Sequence, residues 1–388
     1  MQYLTKPVIV RSTTDQLHRL FQSRHPALSH IEKVGLLKTI AQLRVGVKPQ
    51  SLTTVSEIFL TLFFPSVLRA SLVATAVRPR SPQILSHQIF QFDNGTWIEN
   101  IAVRSNGNLL VTLVDRPELY HVDPFHNTAT LLANLEDEAN AISLLGITEM
   151  APDVFVFVAG NFSVARSAPD PASYSVWQID LNHDAKISEI ARLPEASFLN
   201  GMTALDRREG TVLISDSVRG VVWHLNIRTG KYEVVLEDVT MEPIQDAPLI
   251  LGINGIRIFQ DYVYYVNAIK GLFCRTRIDL STGKASGPYE ILAADVFGDD
   301  FAMSNNGVAF ITENGQNSLV RVDADGTRSV VAGGLHSTLI AGATSAAFGR
   351  TWMDQNILYV TAAGGQAAPV NGTYIEGGKI VAVYVENA

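Results

Sequence analysis

Glu99, Asn200, Asn254 and Asp299 occupy one position of a recurring pattern. Each stands immediately before a short apolar stretch: Asn100-Ile-Ala-Val, Gly201-Met-Thr-Ala-Leu, Gly255-Ile-Arg-Ile-Phe and Asp300-Phe-Ala-Met. Leu145 and Ala343 fill the same position in two further repeats. Carboxylate and amide oxygens are the ligands a hard divalent cation such as Ca²⁺ takes, and the same groups can hydrogen-bond a substrate oxygen on which charge develops. A single Asn-Gly pair reads as a turn residue entering a strand. Two such pairs in register with Glu99 and Asp299 read as a polar site shared by several strands.

Other chemistries lack their residues. The histidines are dispersed, with no His-x-x-x-His or His-Glu-x-x-His spacing, which excludes a zincin-type site. There is no Gly-x-Ser-x-Gly elbow and no Walker loop, and Gly364-Gly365 precedes no helical pattern that could cradle a phosphate. The one cysteine, Cys274, excludes an intrachain disulfide and a cysteine zinc site, and its strand-like setting predicts a buried, inert thiol. His336, in Gly334-Leu-His-Ser-Thr, is the histidine expected nearest the polar column. Trp97, Tyr265, Phe301 and Trp352 lie close to the apolar stretches and are candidates to wall a substrate pocket with Glu99, packing between strands being the alternative.

The elements that must position this column are strands. Of the 388 residues 47% are hydrophobic and 18% charged, which excludes disorder for most of the chain. A net charge of −8 without a Lys/Arg run excludes a nucleic-acid partner and leaves small apolar molecules as expected ligands. Beyond residue 80, β-branched and aromatic runs are separated by Gly, Asn, Asp and Pro. Runs at 211–216, 220–226 and 231–238 form one triplet, repeated at 262–267, 271–279 and 289–294 and again at 307–313, 318–323 and 328–332. With the preceding apolar stretch each unit has four strands, and the stretches begin at 100, 146, 201, 255, 300 and 344. Six four-stranded units at this spacing predict an all-β, six-bladed β-propeller over 83–388. The last unit has no fourth strand C-terminal to it, so the strand at 84–92 is expected to complete it and close the ring. In that architecture the first strand of each blade lines the axis, and the column is presented around one point.

Residues 1–80 read differently. Ser29 with Glu32 makes a capping box opening an amphipathic run to about Leu43, Ser56-Glu57 opens an apolar segment, and Arg78-Pro79-Arg80-Ser81-Pro82 ends the helical pattern. A helical N-terminal extension is expected. The segment 58–76 resembles a signal-peptide core in composition, but Pro65 and Arg69 interrupt it as a membrane span. Sequons at Asn94, Asn161 and Asn371 would carry glycans if the chain enters the secretory pathway. Secretory and cytoplasmic locations are both compatible with these features, and oligomeric state leaves no mark on the sequence.

The repeats with Asn200-Gly-Met-Thr-Ala, Leu251-Gly-Ile-Asn-Gly-Ile-Arg, Gly298-Asp-Asp-Phe-Ala-Met-Ser-Asn-Asn-Gly and Ala347-Phe-Gly-Arg-Thr resemble the gluconolactonase and senescence-marker-protein-like propellers, of which strictosidine synthase is a relative. The resemblance covers about residues 83–386. In the lactonases a Glu, an Asn and an Asp hold a divalent ion and a further Asn contacts the substrate. The resemblance places Glu99, Asn254 and Asp299 at the ligand positions and Asn200 at the substrate contact. Ser304 departs from it, standing where lactonases carry a second Asp. As a whole the chain is most similar to the fungal hetero-Diels-Alderases of tropolone sesquiterpenoid (meroterpenoid) biosynthesis. This implies coupling of a tropolone-derived quinone methide to a humulene-type terpene, with Asn200, Asn254 and Asp299 as the catalytic groups and no cofactor required. The alternatives are a metal-dependent lactonase, in which Ca²⁺ or another divalent cation is held by the column and Asp299 acts as base, and a non-enzymatic binding propeller.

Overall fold

The computed structural model describes residues 85–385. The helical runs expected in 1–80, the apolar segment 58–76 and the boundary near 80 lie outside them. Six four-stranded antiparallel sheets follow one another in chain order. Their innermost strands are Ile98–Val103, Ser143–Ala151, Leu199–Asp206, Ile253–Phe259, Phe301–Met303 and Ala343–Phe348. Ser86–Gln91 pairs with Lys379–Tyr384 as the outer strand of the sixth blade, so the two ends of the described chain are stitched together as the sequence predicts. Phe92 N–H to Gly378 O at 2.9 Å and Tyr384 N–H to Leu85 O at 2.8 Å bracket the seam.

The blades adhere because both faces of each sheet are apolar near the axis. The second strands, such as Val154–Gly160 and Thr211–Asp216, are buried almost throughout. Between the third and fourth blades Leu213, Val222 and Leu236 pack against Ile256, Val263 and Tyr265. Between the fifth and sixth, Phe310 and Leu319 meet Leu358 and Val381. Burial at about 25 cal/mol per Å² of apolar surface is what closes the ring. The outer strands face water on one side, as the alternation in Tyr232–Glu237 records. Asp123, Asp180, Asn226 and Asp279 end or follow the third strands, and their side-chain oxygens accept a backbone N–H two residues on. These Asx turns set the hairpin to the fourth strand and give the repeat its recurring acidic or amide mark.

Hydroxyl groups couple four of the blades to the inner strand of the next. Thr112 Oγ1 donates to Leu145 O, Ser215 Oγ to Asn254 O, Thr312 Oγ1 to Thr344 O and Thr344 Oγ1 to Ile98 O, all at 2.6–2.8 Å. Each satisfies a buried carbonyl of the next blade. Among the described residues no helix is long and apolar enough to cross a membrane. Of the sequon residues, Asn94 and Asn371 are exposed, whereas Asn161 is half-buried and accepts the Ile142 N–H.

Candidate active site at the axial pocket

The inner strands do not enter their sheets smoothly. Their pairing with the second strand shifts register between Ile98 and Asn100, Leu199 and Met202, and Ile253 and Ile256, with the same irregularity at 144/147 and 343/346. Each irregularity contains a column position or adjoins one. A bulge turns a side chain out of its sheet, and here it presents Glu99, Asn200 and Asn254 to the axis. Asp299 precedes the short inner strand of the fifth blade. The glycines after the two asparagines are not turn residues. A Cβ on Gly201 would lie 2.7 Å from Asn254 O, and one on Gly255 would lie 2.3 Å from Asp300 Oδ1. A Cβ on Gly146 would lie 2.3 Å from Asn200 O. Glycine is required because adjacent inner strands approach too closely for a side chain.

Glu99, Asn200, Asn254 and Asp299 line one pocket of about 340 Å³. Its floor is a hydrogen-bonded strip. Trp97 Nε1 donates to Glu99 Oε2 at 3.0 Å, Asn254 Nδ2 to Asp299 Oδ1 at 2.6 Å, and Asn314 Nδ2 to Asp299 Oδ2 at 3.2 Å. The walls are apolar: Phe162 stacks on Phe198 with ring centroids 4.9 Å apart, and Leu249, Leu251, Ile269 and Phe297 complete them. Burial, then the neighbouring Asp299 and Asp300 charges, hold the Glu99 carboxyl well above the ordinary carboxylate range despite the Trp97 hydrogen bond. Burial also lifts Asp299, to about 7, against the opposing hydrogen bonds from Asn314 and Asn254. At neutral pH the pair therefore retains a proton and can donate a hydrogen bond into the pocket.

Glu99, Asn200, Asn254 and Asp299 are the oxygen-bearing groups that would hold a divalent cation of the lactonase kind, and it would compete there with hydrogen bonds. Both Asp299 oxygens and one Glu99 oxygen already accept N–H groups. No group of three His, Cys, Asp or Glu able to hold an ion occurs among the described residues. Asp300 turns away: its Oδ2 accepts from Arg257 at 2.7 Å, Ser345 at 2.8 Å and Asn100 at 3.1 Å. Ser304 is buried, its Oγ accepting the Val308 N–H at 3.1 Å.

Several expected pocket residues lie elsewhere. Trp97 is on the lining, but Tyr265 is fully buried between the third and fourth blades, its hydroxyl 2.6 Å from Thr240 Oγ1. Phe301 is fully buried against Phe273, with centroids 5.4 Å apart. Both side chains leave their strands toward the blade interface, not the axis. His336 sits on an exposed loop with Nδ1 2.7 Å from Asn371 Oδ1, outside the lining. Trp352 is 83% exposed and borders a separate cleft with Met303 and Phe348. Cys274 is buried, and desolvation pushes its thiol up to about 12, as befits an inert residue.

The walls that sequence reasoning missed come from two loop classes on one face. Phe198, Leu251 and Phe297 precede inner strands, whereas Val114, Phe162, Ile269 and Asn314 follow second strands. In a propeller these loops share a face, so strand boundaries alone identify the candidates.

No family profile matches the chain. Among known proteins, it is 32% identical over 310 residues to "Putative hetero-Diels-Alderase asR5" of Sarocladium schorii, covering 71% of this chain and 77% of that one. It is 29% identical over 324 residues to a protein of Phoma sp. with the same description, covering 76% and 92%. Among solved structures it resembles the calcium-binding protein regucalcin of Agrobacterium tumefaciens, with TM-score 0.54 and 16% identity over 78% of this chain and 96% of that one. A gluconolactonase of Xanthomonas campestris gives TM-score 0.52 and 14% identity over 78% and 90%. At these identities the structures share the fold.

Proposed function

The chain belongs to the hetero-Diels-Alderase family, and we propose that its reaction joins a tropolone-derived quinone methide to a humulene-type sesquiterpene in the axial pocket. The observation that carries this reading is the lining itself. Apart from the carboxyl pair, the described residues that line it include no nucleophile and no cationic side chain, only apolar walls and a strip of amide, indole and carboxyl groups. A cavity of about 340 Å³ falls within the range of small-molecule sites.

The coupling suits such a lining. The O=C–C=C heterodiene and one terpene C=C convert three π bonds into one C–C σ bond, one C–O σ bond and one remaining π bond. No atom leaves and no net proton transfer is needed. The apolar walls hold the terpene against the heterodiene, and fixing two reactants in contact can contribute about 7–11 kcal/mol. Negative charge develops on the heterodiene oxygen as the bonds form. The protonated Glu99–Asp299 pair and the amides of Asn200 and Asn254 are the groups able to donate to it.

The test is incubation of the purified chain with a quinone-methide precursor and a humulene-type alcohol. Accelerated, stereochemically single product is expected. A yield and product distribution equal to the protein-free control would overturn the reading. A parallel lactone panel in the presence and absence of a divalent cation distinguishes hydrolysis.

A further inference from the structure

A second cavity, of about 730 Å³, opens where the inner strands end, at the opposite mouth of the channel. No residue lines both cavities. Between them lies the hydrogen-bonded plug of Asn100, Asp300 and Ser345, each at most 3% exposed. The floor of the second cavity is apolar: Ile101, Ile147, Met150 and Met202 are buried there. Its rim is cationic, with Arg207, Arg208, Arg257 and Arg350 on the lining.

These charges are only half compensated. Glu149 Oε2 accepts from Arg350, and Asp300 pairs with Arg257 at 2.7 Å. Beside them Arg104 and Asp153 neutralise each other at 2.8 Å, and Asp206 Oδ1 is engaged by the backbone N–H groups of Arg208 and Glu209. Among the described residues no carboxylate lies within ion-pair distance of Arg207 or Arg208. Backbone carbonyls orient three of the guanidinium groups: Arg207 Nε donates to Glu149 O at 3.0 Å, Arg350 to Val103 O at 2.8 Å and Arg257 to Ile256 O at 2.8 Å. The whole chain carries −8, so this concavity runs against the sign of the molecule. A low-dielectric hollow with unpaired like charges focuses field toward an incoming anion.

We infer that this mouth binds an amphipathic organic oxyanion, a phosphate or carboxylate head on an apolar body. The planar guanidinium forks match either head group bidentately, and their partial pre-ordering lowers the entropy lost on binding. The apolar floor has room for a ring or short chain beneath the head, which distinguishes the site from one for a bare inorganic ion.

The experiment is calorimetric titration of the full chain at low ionic strength with phenyl phosphate, phenylacetate and inorganic phosphate. Saturable one-to-one binding of an aromatic anion, tighter than inorganic phosphate, is expected, and whichever aromatic anion binds tighter identifies the head group. The double substitution Arg207→Gln/Arg208→Gln should weaken it by about tenfold or more. Asn254→Ala, at the other mouth, should leave it unchanged. Thermal unfolding confirms that each variant is folded, and where the double variant is not, the wild-type titration alone decides. No saturable binding below about 10 mM, equal binding by the arginine variant, or loss confined to Asn254→Ala overturns the inference.

Discussion

Replacing Asp299 with Asn tests whether the axial carboxyl is held protonated by burial. Its carboxyl titrates near 3.8 in the unfolded chain and at about 7 in the folded one. Below the unfolded value both states carry the proton and the group is neutral to stability. Between the two values the unfolded chain ionises while the folded one does not, so stability falls as pH rises, and above about 7 the full penalty applies. At 1.36 kcal/mol per tenfold change that penalty has an upper limit of about 4 kcal/mol, and wetting from the pocket side reduces it to about 2 kcal/mol. The substitution keeps the volume and leaves one carbonyl oxygen for Asn254 or Asn314, losing one of the two hydrogen bonds at about 1 kcal/mol. At pH 8 Asp299→Asn should therefore be more stable than the wild type by about 1 kcal/mol, or roughly 2–4 °C in Tm, and at pH 4 less stable by about the same amount. Thermal unfolding of both proteins from pH 4 to pH 8 measures the difference. A difference that does not change with pH, or one that moves in the opposite direction, would refute the reasoning, because either requires an Asp299 that ionises at least as easily in the fold as in water.

The rate of coupling should fall as pH rises through about 7, where Asp299 gives up its proton and stops donating into the pocket. Asp299→Asn, which keeps an N–H donor and does not titrate, should blunt that fall while Glu99→Ala lowers kcat by about a hundredfold, and pH-rate profiles of the two separate the cases. Phe198→Ala removes one half of the stacked wall, and should cost about 3 kcal/mol of stability and relax the stereochemistry of the product, read by denaturant unfolding and chiral chromatography. Gly146→Ala forces a Cβ against the Asn200 carbonyl, so a stability lowered by about 1–3 kcal/mol is expected in denaturant unfolding, with less activity because Asn200 is displaced. Exhaustive chelation should leave turnover unchanged, and a loss restored by Ca²⁺ would return the column to the metal-dependent reading.

The architecture could be read in the sequence because it is written as spacing. Six apolar stretches at near-constant intervals announce six blades whatever the residues between them, and the missing fourth strand of the last blade announces its own replacement at 84–92. The column could be read for the same reason, since register in a repeat becomes position around an axis. Side-chain direction was harder. Tyr265 lies on a second strand buried on both faces, so alternation carries no signal for which side meets the pocket. Phe301 follows two aspartates of which Asp299 faces the pocket and Asp300 faces the plug, and nothing in Gly298-Asp-Asp-Phe marks the change.

The Asn-Gly pairs show how one sequence signal can have two physical causes. As isolated dipeptides they favour a turn through the conformational freedom of glycine. Here Gly201 and Gly255 lie inside strands and do not have positive φ; they are glycine because the neighbouring inner strand leaves no room for a Cβ. The close approach has a functional consequence. With the backbones that near, the bulged residues Asn200 and Asn254 converge with Glu99 and Asp299 on a single pocket instead of lining a wide water channel. Convergence in turn removes water from two carboxyls, and desolvation is the first cause of their raised titration. A glycine forced by strand packing thus ends in a protonated donor at the floor of an apolar cavity, which is the property a cycloaddition with a developing oxyanion requires.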